Sequence, residues 1–106
     1  MTTISKDNNV VTLINVFTVE PENQQRLLDI LVEATEKVMA HLPGFISANL
    51  HKSLDGKRVV NYAQWASVSD FQSMLQNPQV LPHMKEAKQL ATFDANLYEV
   101  SHVHHA

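Results

Sequence analysis

Two strand-like segments on either side of Asp55-Gly56 constrain the fold of this chain more than any other feature. Residues 45–53 and 57–66 are rich in apolar and β-branched side chains, and Asp-Gly is typical of a two-residue type I′ hairpin turn. Such a turn pairs Leu54 with Lys57 and fixes the register of all later pairs. The pairs predicted on one face are Trp65 with Ile46, Ala63 with Ala48, and Asn61 with Leu50.

This predicted face is apolar except for Asn61, so we expect the helices to cover it. Asn61 and Trp65, the only tryptophan, lie four residues apart and therefore point the same way along the strand. A buried amide costs free energy unless it forms hydrogen bonds. The partner of Asn61 is a protein group, a water molecule or a bound ligand, and the sequence leaves these three open.

The opposite face of the hairpin combines polar and aromatic side chains: Ser47, Gln64, Asn49, Tyr62 and His51. This face is too aromatic to be simply solvated. A sheet with two occupied faces on so short a chain predicts a homodimer that packs through this second face.

Residues 10–19 are β-branched and aromatic almost throughout and predict another strand. Along it, Asn15 shares a side with Leu13, Phe17 and Val19, so it is a second lone amide among apolar neighbours. If this strand lies beside the third strand, Asn15 is expected near Asn61 or Trp65.

The order of elements predicts the fold class. Helical patterns cover residues 21–41 and, interrupted by Asn77-Pro78, residues 67–90, and a last strand is predicted at 95–103. The order β-α-β-β-α-β is that of an α+β ferredoxin-like fold, with an antiparallel four-stranded sheet and helices on one face. The first and third strands are central neighbours in that arrangement.

Composition limits the class of protein. A chain of 106 residues that is 44% apolar and 18% charged predicts one globular domain. The net charge of −3 without a basic run speaks against nucleic acid or an anionic membrane as partners. The absence of cysteine excludes disulfides and fits a reducing compartment, so we expect a cytoplasmic protein. Residues 1–9 are predicted to be a disordered end, 10–101 the domain and 102–106 a tail.

The six histidines do not form a recognisable metal site. His102, His104 and His105 lie together without a carboxylate at a ligand spacing, which indicates a solvated tail. His83 is the one histidine that we consider as an acid or base, because histidine titrates near neutral pH. The alternative is a solvent-facing residue at the start of a helix. Phosphate-binding loops and nucleophile elbows are absent from the sequence.

Asn15, Asn61 and Trp65 allow two interpretations. They are either a ligand pocket, with amides that orient a flat molecule against an aromatic wall, or ordinary core residues whose amides bond to the backbone or to each other.

Four motifs resemble the antibiotic biosynthesis monooxygenase family. They occur in the family's order at residues 13–19, 43–45, 60–65 and 81–83, and the resemblance runs over residues 10–100. Within the family the sequence is most similar to cofactor-independent anthrone oxygenases of aromatic polyketide pathways. Their sites use an asparagine on the first strand and Asn-x-x-x-Trp on the third, which match Asn15, Asn61 and Trp65.

The resemblance implies a homodimeric ferredoxin-like α/β barrel with one pocket in each subunit. It also implies that O₂ oxidises an aromatic polycyclic phenol, anthrone or quinol to a quinone without metal, flavin or haem. The expected catalytic residues are Asn15, Asn61 and Trp65. The expected substrate contacts are His83, Met74, Phe17 and Leu50, with His83 as a candidate proton carrier.

Two alternatives remain open. Haem-degrading monooxygenases of the same superfamily also use a first-strand asparagine, together with a tryptophan and a histidine on the helices. Asn15 and His83 fit two of these roles, but Met74 stands where the helical tryptophan is expected. The second alternative is a non-enzymatic, small-molecule-binding or stress-related dimer.

Overall fold

Four strands form one antiparallel sheet, and the helices cover one of its faces. The computed structural model describes all 106 residues. The strands are β1 (Val11–Val19), β2 (Phe45–Lys52), β3 (Arg58–Trp65) and β4 (Ala91–Tyr98), and the helices are α1 (Gln24–Lys37), α2 (Val68–Leu75) and α3 (Leu81–Leu90). The order across the sheet is β2-β3-β1-β4. The predicted ferredoxin-like fold, with β1 beside β3 and a second helix interrupted near Asn77-Pro78, is confirmed.

The helix boundaries follow from local sequence signals. Pro21 opens a 3₁₀ turn, Pro21–Asn23, that leads into α1, and a second 3₁₀ turn, Met39–His41, follows α1. The side-chain oxygen of Ser67 accepts a hydrogen bond from the Asp70 backbone N–H and caps α2. The buried stripe of α1 places the helix on the sheet, and its residues are Leu27, Ile30, Leu31 and Ala34.

The hairpin register is confirmed from Ser47 to Lys52, but the predicted turn is wrong. A type I′ turn needs positive φ at both central residues, and only glycines have positive φ in this chain. Instead the Gly56 N–H donates to the Ser53 carbonyl, and Ser53 and Arg58 close a four-residue loop. The register is unchanged because both loops are centred on the same point, so Asn61 still lies opposite Leu50.

Two further expectations need correction. A bulge between Phe45 and Ser47 shifts the first pair of the hairpin, so that Trp65 lies opposite Phe45 and Ile46 is left exposed. Strand β4 begins at Ala91 rather than at residue 95 and ends at Tyr98. Ala91 is already extended (φ −148°, ψ 154°), so α3 passes into β4 without a loop.

The N-terminal segment crosses the outer face of the sheet, which we define by the even-numbered residues of β1 and their cross-strand neighbours. The Thr2 hydroxyl donates to Ser47 Oγ at 2.8 Å and accepts from Asn49 Nδ2 at 2.7 Å. Gln64 Nε2 donates to the Thr3 carbonyl at 2.7 Å. Residues 1–5 and 99–106 have no regular secondary structure, and the predicted domain limits stay predictions.

None of the helices combines the length and the apolar character that a membrane crossing requires. The cytoplasmic location stays a prediction.

We predict that Gly44→Ala destabilises the fold more than Gly56→Ala. Both glycines have left-handed φ, +81° and +79°, which costs any other residue about 1–2 kcal/mol. A Cβ at position 44 would also overlap the Asp70 side chain, whereas at position 56 it would lie 3.5 Å from Pro21 Cβ, an ordinary contact. Urea unfolding should give a loss of about 2–4 kcal/mol for Gly44→Ala and about 1–2 kcal/mol for Gly56→Ala. Equal losses would contradict this account.

Candidate active site

A cavity lies between the helices and the odd-numbered residues of β1. Its volume is about 170 Å³ and it is lined by 19 residues, of which 15 are apolar. A single water needs on the order of 10–15 Å³ by this measure, so the cavity has the size of a small molecule. A mostly apolar cavity with a few polar groups is typical of a ligand site.

Asn15 and Asn61 face each other across β1 and β3 and both line the cavity. Asn15 is buried, with 7% of its surface exposed. The side-chain oxygen Oδ1 of each residue is buried and has no hydrogen-bond partner in the chain. Most buried polar atoms in native proteins are paired, so two orphaned oxygens on neighbouring strands leave a water molecule or a ligand as the group that would satisfy them.

Trp65 forms an aromatic wall of the cavity. It is 1% exposed, and its ring makes edge-to-face contacts with Phe45 and Phe71 at centroid distances of 5.5 and 6.3 Å. Such packing leaves the indole little freedom to rotate. A flat ligand would therefore meet a fixed aromatic surface beside the amide pair.

Each helix contributes one stripe of side chains to the cavity. Residues of α3 at positions i, i+3 and i+7 lie on one side of a helix with 3.6 residues per turn. The helical lining residues are Leu31, Thr35, Phe71, Met74, Leu75, Leu81, Met84 and Lys88. The hydroxyl of Thr35 already donates to the Leu31 carbonyl at 2.8 Å, which leaves its oxygen free to accept.

Five of the seven residues singled out in the sequence line this cavity: Asn15, Asn61, Trp65, Phe17 and Met74. The ring of Phe17 packs at a centroid distance of 5.8 Å, tilted by 42°, against that of Phe93 of β4, which lies directly opposite. Met74 is buried among the residues around Trp65. The structure therefore brings these five side chains together, and their catalytic or binding roles stay a prediction.

His83 does not line the cavity, in contrast to the prediction. It lies two residues after Leu81 and one before Met84, which turns it away from the α3 stripe toward α1. Its Nδ1 lies 3.3 Å from the Gln79 carbonyl oxygen. Glu33 of α1 lies near His83: its pKa is lowered mainly by a hydrogen bond from Lys37 and the charge of Lys37, and more weakly by the charge of His83.

Leu50 also lies outside the cavity, although it is opposite Asn61. It packs on a hydrophobic cluster that includes Leu27 and Leu31 of α1. The helix fills the space above β2 at this point, so Leu50 is a core contact rather than part of the cavity wall.

Lys88, Phe93 and Met84 line the cavity and were not singled out in the sequence. Lys88 and Met84 follow from the helical period once the phase of α3 is known. Phe93 was missed because the predicted β4 began two residues after it. No Asp, Glu or His lines the cavity, and no group of three potential metal-ligating residues occurs in the chain.

Comparison with known proteins identifies the same family by two routes, a family model and a relative. Residues 10–90 match the family described as antibiotic biosynthesis monooxygenase. The chain is 45% identical over 102 residues to tetracenomycin-F1 monooxygenase of Streptomyces glaucescens. The aligned residues cover 96% of this chain and 91% of that protein.

Two solved structures share the fold. SnoaB, a cofactor-independent oxygenase from Streptomyces nogalater, has a TM-score of 0.76 at 27% identity over 91% of this chain and 97% of its own. A monooxygenase from the gene ActVA-Orf6 of Streptomyces coelicolor, in complex with nanaomycin D, has a TM-score of 0.81 at 24% identity over 91% of both chains.

The chain belongs to the antibiotic biosynthesis monooxygenase family. It is an enzyme, a monooxygenase, and the family resemblance seen in its motifs is confirmed.

We predict that Asn15→Leu stabilises the protein, because it replaces a buried amide that has no partner with an apolar side chain of similar shape. The free energy of unfolding should rise by about 1–2 kcal/mol in urea titration. The matched control is Gln24→Met, since Gln24 is a buried amide whose Nε2 donates to the Ser53 and Arg58 carbonyls at 3.1 and 2.9 Å. That variant should lose about 1–2 kcal/mol. A similar loss in both variants would identify Asn15 as an ordinary core amide.

Proposed function

We propose that this enzyme uses O₂ to oxidise an aromatic polycyclic phenol or anthrone to a quinone without a bound cofactor. The observation that carries the proposal is the pair of unpartnered amides, Asn15 and Asn61, beside Trp65 in an otherwise apolar cavity. The names of two relatives support it: one is a tetracenomycin-F1 monooxygenase and the other a cofactor-independent oxygenase.

The reaction balances without any further reactant. An anthrone carries a CH₂ group between two aromatic rings, and loss of one proton leaves an enolate. The enolate passes one electron to O₂, and the resulting radical and superoxide combine to form a C–O bond. After the peroxide takes up a proton, its O–O bond breaks as the second proton leaves the carbon. One oxygen atom stays as the quinone carbonyl and the other leaves as water.

The protein groups at hand suit this reaction by binding rather than by proton transfer. An Asn amide donates through Nδ2 and accepts through Oδ1. Asn15 and Asn61 would donate to the enolate oxygen as charge develops and accept from phenolic hydroxyls. Such fixed dipoles stabilise an anion strongly where water is excluded, as the apolar lining of this cavity favours.

The haem-degrading alternative is less well supported by the geometry. It calls for a histidine at the cavity, and His83 is turned toward α1. Met74 occupies the place in α2 where a tryptophan is expected in that group. A saturable Soret band on titration with haem would support this alternative.

We further propose that two chains form a homodimer through the outer face of the sheet. Half-buried apolar side chains meet at its centre, where Ile14 lies opposite Tyr62 and Val16 opposite Val60. A central apolar patch on a two-sided sheet is suited to a second copy of the same surface.

We predict that Asn61→Ala lowers the rate of O₂ uptake with dithranol, an anthrone, by about tenfold or more, because the enolate loses a donor. Trp65→Phe should also lower the rate, because the smaller ring loosens the wall that orients the substrate. Oxygen consumption and quinone absorbance measure both effects.

Asn23→Ala is the matched control for these variants. Asn23 lies at the start of α1, and its side chain makes no capping hydrogen bond. It should retain the parental rate, and thermal unfolding should show all three variants folded. Parental rates in Asn61→Ala and Trp65→Phe would refute the assignment of the site.

We predict a dimer of the unmodified chain in sedimentation velocity at micromolar concentration. Ile14→Glu places a charge at the centre of the outer face and should give a monomer, because its cross-strand neighbours, Tyr62 and Asn96, offer no cation to pair with it. Gln72→Glu on the exposed surface of α2 adds the same charge on the opposite side of the molecule and should remain dimeric. A monomeric unmodified chain would contradict the proposed interface.

A further inference from the structure

Lys88 is the only charged residue that lines the cavity. It is the last member of the α3 stripe formed with Leu81 and Met84. Its Nζ lies 5.6 Å from the centroid of the Phe93 ring, a distance at which a cation is attracted to an aromatic face. Phe93 is 39% exposed, so this pair lies at the rim of the cavity, between α3 and β4.

Lys88 forms no ion pair within the chain. The two ion pairs present join Lys37 to Glu33 and Arg58 to Asp55. No acidic residue lines the cavity, although Glu20 lines the shallow hollow on the other side of Lys88. A single cation at the mouth of an apolar cavity gives that mouth a positive potential.

The sheet sets the spacing between Lys88 and the amide pair. Phe17 follows Asn15 by two residues on the same face, which corresponds to about 7 Å along the strand. Phe17 contacts Phe93, and Phe93 lies beneath the ammonium group. A polycyclic ring held by Asn15 and Asn61 would therefore extend along Phe17 toward Lys88.

We propose that Lys88 binds an anionic oxygen, a carboxylate or a phenolate, on the aromatic substrate at the rim of the cavity. This proposal rests on the proposed function, since it assumes that the cavity accepts an aromatic polycycle. Lys88 is then a specificity residue: it selects substrates that carry a negative group on the ring remote from the amides. The stem of the side chain packs along the apolar rim while the charged end stays near water.

Binding of product-like quinones tests the proposal without turnover. Trp65 is the only tryptophan and lines the cavity, so its fluorescence reports occupancy directly. The probes are anthraquinone-2-carboxylate, 2-hydroxyanthraquinone and the uncharged 2-methylanthraquinone. We expect the carboxylate to bind about fivefold more tightly than the methyl compound, as a partly exposed charge pair contributes. This preference should shrink with added salt.

Three variants separate the charge from the fold. Lys88→Met keeps the stem and should abolish the preference for the carboxylate while leaving the affinity for the methyl compound within about twofold. Lys88→Arg should retain the preference. Lys85→Met removes an exposed lysine of the same helix that does not line the cavity and should bind all probes as the unmodified chain does.

The outcomes distinguish this proposal from the function on which it rests. A Lys88-dependent preference for the carboxylate, or for the hydroxy compound above the pH at which it ionises, supports the proposal and shows which anion is recognised. Equal affinities for charged and uncharged probes, or equal weakening of both in Lys88→Met, overturns it. Preserved charge preference without dithranol oxidation would refute the proposed function alone, and dithranol oxidation without charge preference would refute the role of Lys88 alone.

Discussion

The antiparallel pairing of β1 with β3 is the contact on which the candidate site depends. These strands occupy the centre of the sheet, and their register sets Asn15 opposite Asn61. Side chains alternate between the two faces of a strand, so a slip of β1 by one residue would carry Asn15 to the outer face, away from Asn61. The same slip would expose Leu13 and Phe17, which are buried. Burial of the apolar residues around the amides therefore fixes the position of the amides as well.

This arrangement works against stability at the point where we propose that it serves binding. Gln24 is a buried amide with a structural role, because its Nε2 donates hydrogen bonds to the Ser53 and Arg58 carbonyls at the two ends of the β2–β3 loop. Asn15 and Asn61 lack such partners although they lie at the centre of the sheet. Local conflict with the rules of packing is expected at functional sites, where the surrounding core holds the conflicting groups in place. Here that core is the pair of hydrophobic clusters on either side of the cavity.

The sequence was sufficient to predict which strand residues face the helices, but it was not sufficient to predict which helix residues face the cavity. The register of β2 with β3 was predicted correctly from a wrong turn, because the four-residue loop between Ser53 and Arg58 is centred on the same point as the predicted two-residue turn. The bulge at Ile46 has no local signal such as glycine. The position of His83 depends on the phase of α3, where an error of one residue rotates a side chain by about 100°. For the same reason, the sequence did not predict that Lys88 lines the cavity. Phe93 was not predicted to line it because α3 passes into β4 without a loop.

The polar groups of the cavity also indicate how catalysis is divided between protein and substrate. Amides neither gain nor lose a proton near neutral pH, and no carboxylate or imidazole lines the cavity. In the proposed reaction the acidity therefore resides in the substrate, whose enolate is the electron donor to O₂. The protein contributes by favouring the anion over its neutral form, which amide dipoles in an apolar cavity achieve without a charge of their own. If the site works in this way, the amides do not select one particular ring system, and we propose that the shape of the aromatic wall and the charge of Lys88 discriminate between substrates.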